Sequence, residues 1–267
     1  MSEPAAPKPV TRPPGPPIEF SKYQGLGNDF VIIFIEEVTP ELARFICDRH
    51  FGIGADGVIR LVPSSNPDYD FHFRLFNADG GSAEVSGNGV RCVSLFLHEA
   101  GLWAHPSVRL EAGGRAKVAE LEVADGVAKV KVDMGAAERQ GTVELFDRSW
   151  HKVATGNPHA VTIVEDIEAA PVNELGPRVE THEHFPQRTN VEFVAIEGPD
   201  LVAVRFWERG VGPTLASGSG SAAAVVAAGL EKATVKTLGG SLVVEVGPDG
   251  HIYQTGPAVH VYDGALP

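Results

Sequence analysis

Ser86-Gly87-Asn88-Gly89 stands directly before VRCVSLFLHEAG (90–101), and Ser217-Gly218-Ser219-Gly220 directly before SAAAVVAAGLEKA (221–233). Each is a Ser-Gly-x-Gly turn that opens an apolar run of helical length, with Gly101 as the stop of the first. The second turn follows the first by 131 residues, close to half of the 267-residue chain. Working outward, the first turn is preceded by β-rich runs, FVIIFI, GVIRLV and FHFRLF, and followed by SVRLEA, AKVAELEV and VAKVKVDM. The second sits among HAVTIV, VEFVAI and LVAVRFWE on one side and SLVVEV and HIYQT on the other. PELARFICDRH, entered after Thr39 with Pro40 in the first helical position, reads as one further helix. The expected architecture is a duplicated α+β unit, each half a sheet wrapped on one apolar helix, with a site between the halves.

The first residues of a helix carry N–H groups without intrahelical partners, and the helix dipole adds partial positive charge there. Glycine lets a ligand approach that backbone closely. Two such turns facing each other would form a two-sided cradle for a small anion such as a carboxylate.

Composition narrows the function classes. With 43% hydrophobic and 21% charged residues the chain reads as soluble and globular. A formal net charge of -13, spread along the chain, argues against a nucleic-acid partner. Only Cys47 and Cys92 occur, both in apolar helix-like stretches, so a reducing cytoplasm and two buried thiols are expected rather than a disulfide framework. No apolar run reaches membrane-spanning length. Residues 1–17, with seven prolines, read as a disordered, polyproline-like tail.

Common site motifs fail on context. Gly52-Ile53-Gly54-Ala55-Asp56-Gly57 fits GxGxxG, yet it follows a helix and enters a strand, the reverse of a dinucleotide site. Glu84 and Leu215 stand two residues before Ser86 and Ser217, so neither serine lies in a GxSxG elbow. Thr181-His182-Glu183-His184 reads as a solvated loop, and no metal is expected. What remains is a set of polar residues at turns and strand ends. Asn28, Asn77, Asn157 and Asn190 sit in QGLGNDF, RLFNADG, TGNPHA and RTNVEF; His159 follows Asn157-Pro158; Glu208-Arg209 ends an apolar strand. Taken singly, such residues serve backbone conformation or a satisfied structural bond.

Taken together they resemble a known family. The blocks FSKYQGLGNDFVII, DRHFGIGADGVI, FNADGGSAEVSGNGVRC, TGNPHAV, RTNVEFV, ERGVGPTLASGSGSAAA and TGPAVHVYDG, in this order, are similar to diaminopimelate epimerases over nearly all of residues 18–267. The resemblance implies two pseudo-symmetric domains, each a mostly antiparallel sheet around a central helix, over 18–112 with 258–267 and over 113–257. It implies interconversion of LL- and meso-diaminopimelate, on the route to lysine and peptidoglycan, without metal or other cofactor, in a cytoplasmic homodimer. Asn28, Asn77, Asn157, Asn190, Glu208 and Arg209 match substrate-holding positions, with Arg209 on the distal carboxylate. Gly87, Asn88, Gly218 and Ser219 match the backbone donors for the α-carboxylate, and His159 and Glu208 match residues that assist catalysis.

One departure bears on the chemistry. The family reads CGNG and ACG-S/T-G where this chain has Ser86 and Ser217, so both catalytic thiols are replaced by hydroxyls. A helix N-terminus can bring a thiol, ordinarily near pKa 8.5, into range as a base, whereas a serine hydroxyl stays far less acidic. Epimerisation is therefore expected to be severely impaired. Cys47 and Cys92 remain while both catalytic positions change, a selectivity that favours deliberate replacement over drift. Two alternatives stay open: a thiol-free isomerase of the same fold using Glu208 or His159, as phenazine-pathway isomerases illustrate, and a non-catalytic amino-acid-binding protein.

Overall fold

The computed structural model describes residues 12–13, 15–83, 85–124 and 127–267. The proline-rich tail lies outside them except for residues 12–13 and 15–17, which form neither helix nor strand. The first half contains β1 (Ile18–Gly25), β2 (Asn28–Ile33), α1 (Pro40–Cys47), β3 (Gly57–Pro63), β4 (Phe71–Asn77) and β5 (Ser82–Ala83), followed by α2 (Gly87–Glu99), β6 (Ser107–Ala112), β7 (Arg115–Ala124) and β8 (Val127–Ala136). The second contains β9 (Glu138–Leu145), β10 (Arg148–Ala154), β11 (Pro158–Ile163), α3 (Val172–Glu180), β12 (Asn190–Gly198), β13 (Leu201–Glu208) and β14 (Gly212–Thr214). After these come α4 (Gly218–Ala228), β15 (Lys232–Thr237), β16 (Gly240–Val246), β17 (His251–Pro257) and β18 (Val259–Leu266).

Strand pairing repeats element by element. β2 runs parallel to β3 and β4 to β6; in the second half β11 runs parallel to β12 and β13 to β15. The other pairs are antiparallel, including β6–β7–β8 and its counterpart β15–β16–β17. β18 crosses back to pair with β1, and β9 crosses forward to pair with β10. The halves join through the antiparallel pair β8–β17. The fold is α+β, as read from the duplicated turns. β7 and β8 extend the first sheet from β6 and pack on α2. Their alternation of small apolar and charged residues suits the wrap around α2, and the chain crosses over only after Ala136.

Both central helices are buried: α4 is almost wholly apolar, and α2 is enclosed although it carries Asn88, Arg91 and Ser94. In α2 every residue from Gly87 to Leu97 is buried, and in α4 Ser221 to Val226 are, so one continuous core encloses both helices. The outer faces of the two sheets hold separate cores, one under α1 with Val31, Ile33 and Val58, the other around α3 with Trp150, Val191 and Phe193. Cys47 and Cys92 lie in these cores, and burial pushes both thiols up to about 12.

Two helices end earlier than expected. Helix α1 stops at Cys47 because the Asp48 carboxylate accepts the His50 and Phe51 N–H groups, each at 2.8 Å, turning the chain out of the helix. Helix α4 stops at Ala228 because Gly229 turns left-handed at φ 76°, which sends residues 232–237 into β15. The stop at Gly101 holds, with φ 66°.

Candidate active site between the two helix N-termini

Ser86 and Ser217 are both N-caps in extended conformation. Their Oγ atoms accept the N–H of Gly89 at 3.2 Å and of Gly220 at 3.3 Å. The two helix starts abut: a Cβ built on Gly218 would lie 3.6 Å from the Gly87 Cα. The positive ends of both dipoles therefore converge at one place. Gln254 of β17, fully buried, lies against the junction; its Nε2 donates to the Gly218 carbonyl, while its Oε1 has no partner among the described residues. Elsewhere along the boundary, Leu26 and Gly27 of the first half touch Leu215 and Gly239 of the second.

The second-half wall carries the titratable groups. Glu208 ends β13 and accepts a hydrogen bond from the Ser217 hydroxyl at 3.3 Å. Burial holds its carboxyl above the usual range; Thr214 pulls the other way and Glu192 adds to the rise. His159, on β11, places Nδ1 2.7 Å from the Glu192 Oε1 and Nε2 2.9 Å from the Asn157 Oδ1. Both side chains of the His159–Glu192 pair are wholly buried, and burial also raises the Glu192 carboxyl, with His159 opposing. A Cβ on Gly220 would come within 2.7 Å of the Glu192 Oε1, so the pair lies directly beneath the start of α4. Asn190 bridges two backbones, donating to the Pro158 carbonyl and accepting the Arg209 N–H, each at 3.0 Å. Arg209 itself donates to the Gln187 carbonyl at 3.2 Å.

The first-half wall is mostly amides. Asn88 donates to the Asn28 Oδ1 at 3.1 Å, and Asn28 donates to the Asp56 Oδ2 at 2.8 Å. Asn77 ends β4 and is exposed, at the place Glu208 holds in the second half. Thus Gly87 meets Gly218 and Ser217 meets Glu208, while Asn28 is hydrogen-bonded to Asn88 and Asn157 to His159. Glu192, Gln254 and the buried Arg91 were not singled out from sequence. The signal for Glu192 was a lone carboxylate inside the apolar strand VEFV; that for Arg91 was a charge inside an apolar helix.

The family model for diaminopimelate epimerase matches residues 20–140 and 152–261. The chain belongs to the diaminopimelate epimerase family. It is 43% identical over 278 residues to the diaminopimelate epimerase of Synechococcus elongatus, covering 93% of this chain and 98% of that one. To the diaminopimelate epimerase of Methanococcus maripaludis it is 39% identical over 279 residues, covering 93% and 99%. Among solved structures, a PhzF-family phenazine biosynthesis protein of Bacillus anthracis superposes with a TM-score of 0.75 at 16% identity, over 95% of this chain and 100% of that one. That likeness concerns the fold alone. Membership of the family makes the chain an enzyme of the amino-acid epimerase and isomerase class.

Proposed function

We propose that this chain binds diaminopimelate between its two repeat units and that its epimerisation chemistry is strongly attenuated by serine at positions 86 and 217. The reading treats β1–β8 with β18, and β9–β17, as the two domains. The observation that carries it is the meeting of two serine-capped helix N-termini, with Glu208 hydrogen-bonded to Ser217. A two-base epimerisation needs one group to take the α-proton and another to return a proton from the opposite face. Ser86 and Ser217, each on its own helix, occupy those two places. The convergent N-termini suit the α-carboxylate, whose negative charge grows as the α-carbon loses its proton. Arg209 suits the distal carboxylate. Serine keeps the shape and the cap but has no accessible thiolate.

The test follows deuterium uptake at the α-carbon and the isomer ratio together in four proteins: this chain, Ser86→Cys, Ser217→Cys and the double variant. The double variant is expected to epimerise in both directions at least about 10²–10⁴-fold faster than the parent, the range of general acid–base catalysis. Each single variant is expected to exchange hydrogen for one stereoisomer only, with opposite preferences. Equal rates for parent and double variant would sink the thiol reading. Glu208 would then be the base, a second reading favoured by its raised pKa and its contact with Ser217.

A further inference from the structure

Arg91 lies on α2, five residues after Ser86, and no part of it reaches solvent. Its Nε donates to the Pro257 carbonyl at 3.2 Å, one Nη2 hydrogen goes to the Asn88 Oδ1, and Nη1 has no partner among the described residues. Space for the guanidinium exists because two neighbours are glycine: a Cβ on Gly256 would lie 3.1 Å from Nε, and one on Gly25 3.4 Å from Nη2. The surrounding charges cancel without it. Lys22 and Arg49 both pair with Asp29, at 2.9 and 2.8 Å, and Arg49 also pairs with Asp56 at 2.8 Å, two cations against two carboxylates. Asp56 connects to Arg91 only through the amides of Asn28 and Asn88. Among the described residues no carboxylate touches Arg91, and burial lowers its pKa to about 10.

A wholly buried cation without a counter-ion is costly, and its place here raises the cost. It stands near the positive end of α2, against which the positive end of α4 also abuts. Three positive sources thus converge at this junction, where Arg91 itself meets only neutral oxygens among the described residues, those of Asn88 and Pro257. We propose that Arg91 is the counter-charge for the α-carboxylate of the bound amino acid, a positioning residue that acts through Asn88 at the paired helix N-termini. This rests on the substrate reading above. Arg91 makes no contact with the ligand in this scheme: it fixes the Asn88 amide, holds the start of α2 against the β17–β18 corner, and leaves a positive potential that a bound carboxylate neutralises.

The inference gives stability and affinity opposite signs, which a purely structural role would not. Arg91→Gln keeps a donor near Asn88 and removes the charge. It is expected to raise the melting temperature of the unliganded protein and to weaken diaminopimelate binding, followed by calorimetry, by about tenfold or more. A lower melting temperature, or an affinity equal to the parent's, overturns the inference. If Arg91→Gln does not fold, Arg91→Lys decides: it keeps a charge there and should hold affinity within about threefold, whereas a loss of about tenfold overturns the inference. A parent protein that binds no diaminopimelate overturns the substrate reading itself, an outcome distinct from parent binding that Arg91→Gln leaves unchanged.

Discussion

Replacing His159 with leucine would leave the Glu192 carboxylate alone in a space that no water reaches. The pair is 2.7 Å apart with both side chains fully buried, and the second Glu192 oxygen already has no partner among the described residues. Removing one member of such a pair costs about 3–5 kcal/mol, because the survivor keeps its desolvation penalty and loses its compensation. Glu192→Gln keeps an amide oxygen for His159 and should cost less, about 1–3 kcal/mol. The double variant should cost less than the sum of the singles, by about 0.5–3 kcal/mol. The cost should also depend on pH. Glu192 is held above its ordinary pKa in the folded protein, so its protonation favours folding. Stability from this source is full below the unfolded carboxylate value and is lost as pH rises through the folded one. The penalty of His159→Leu should therefore be larger at pH 7 than at pH 4.5, since lowering the pH favours the protonated, uncharged Glu192 carboxyl. Urea unfolding of the four proteins at both pH values measures it. Additive, pH-independent costs would show that His159 and Glu192 are not a coupled pair.

Arg209→Ala should weaken diaminopimelate binding by about 1.5–3 kcal/mol in calorimetry, the scale of a hydrogen bond to a charged group; unchanged affinity would remove Arg209 from the site. Glu208, also raised by burial, contributes stability below the ordinary carboxylate range that is lost as pH rises through its folded pKa. Glu208→Gln should flatten the decline of melting temperature with rising pH, and curves parallel to the parent's would contradict this. A thiol reagent should label neither Cys47 nor Cys92 in the folded protein, since both are buried with thiols near 12, yet it should label Ser86→Cys; labelling of the unaltered fold would refute the assignment of both cysteines to the core.

The central device of the fold was legible because its signals are local. A serine, two glycines and an apolar run state a helix start within a few residues, and both Ser86 and Ser217 cap as the turns required. Helix ends were less legible: α1 stops because a side chain, Asp48, takes two backbone donors, a contest that apolar periodicity does not register. Helix α3 contains Gly176 and Pro177, two residues that argue against a helix; it forms because Gly176 packs against the Trp207 ring, where a Cβ would sit 2.7 Å away. Strand β9, ERQGTVEL, is largely exposed and polar and carries no burial pattern to read. The amide and carboxylate partnerships of the site join residues far apart in the chain, 33 residues for His159 and Glu192 and 60 for Asn28 and Asn88. No spacing rule reaches that far. Only the family resemblance had assembled those asparagines, and it left Glu192 and Arg91 unmentioned.

The two crossing strands give the molecule the connectivity of a ring. Ile18 and Leu266 lie opposite each other on β1 and β18, while in the second half Leu145 and Arg148 hold the corresponding places on β9 and β10, joined by a tight turn through Phe146 and Asp147. What is an unlinked pair of strand ends in one half is a two-residue turn in the other. A circular permutant opened between Phe146 and Asp147 and closed from Leu266 to Ile18 would keep every strand partner and exchange only the order in which the halves are synthesised. Strand pairing alone therefore holds no record of which repeat precedes the other; that order is a property of where the ring is cut.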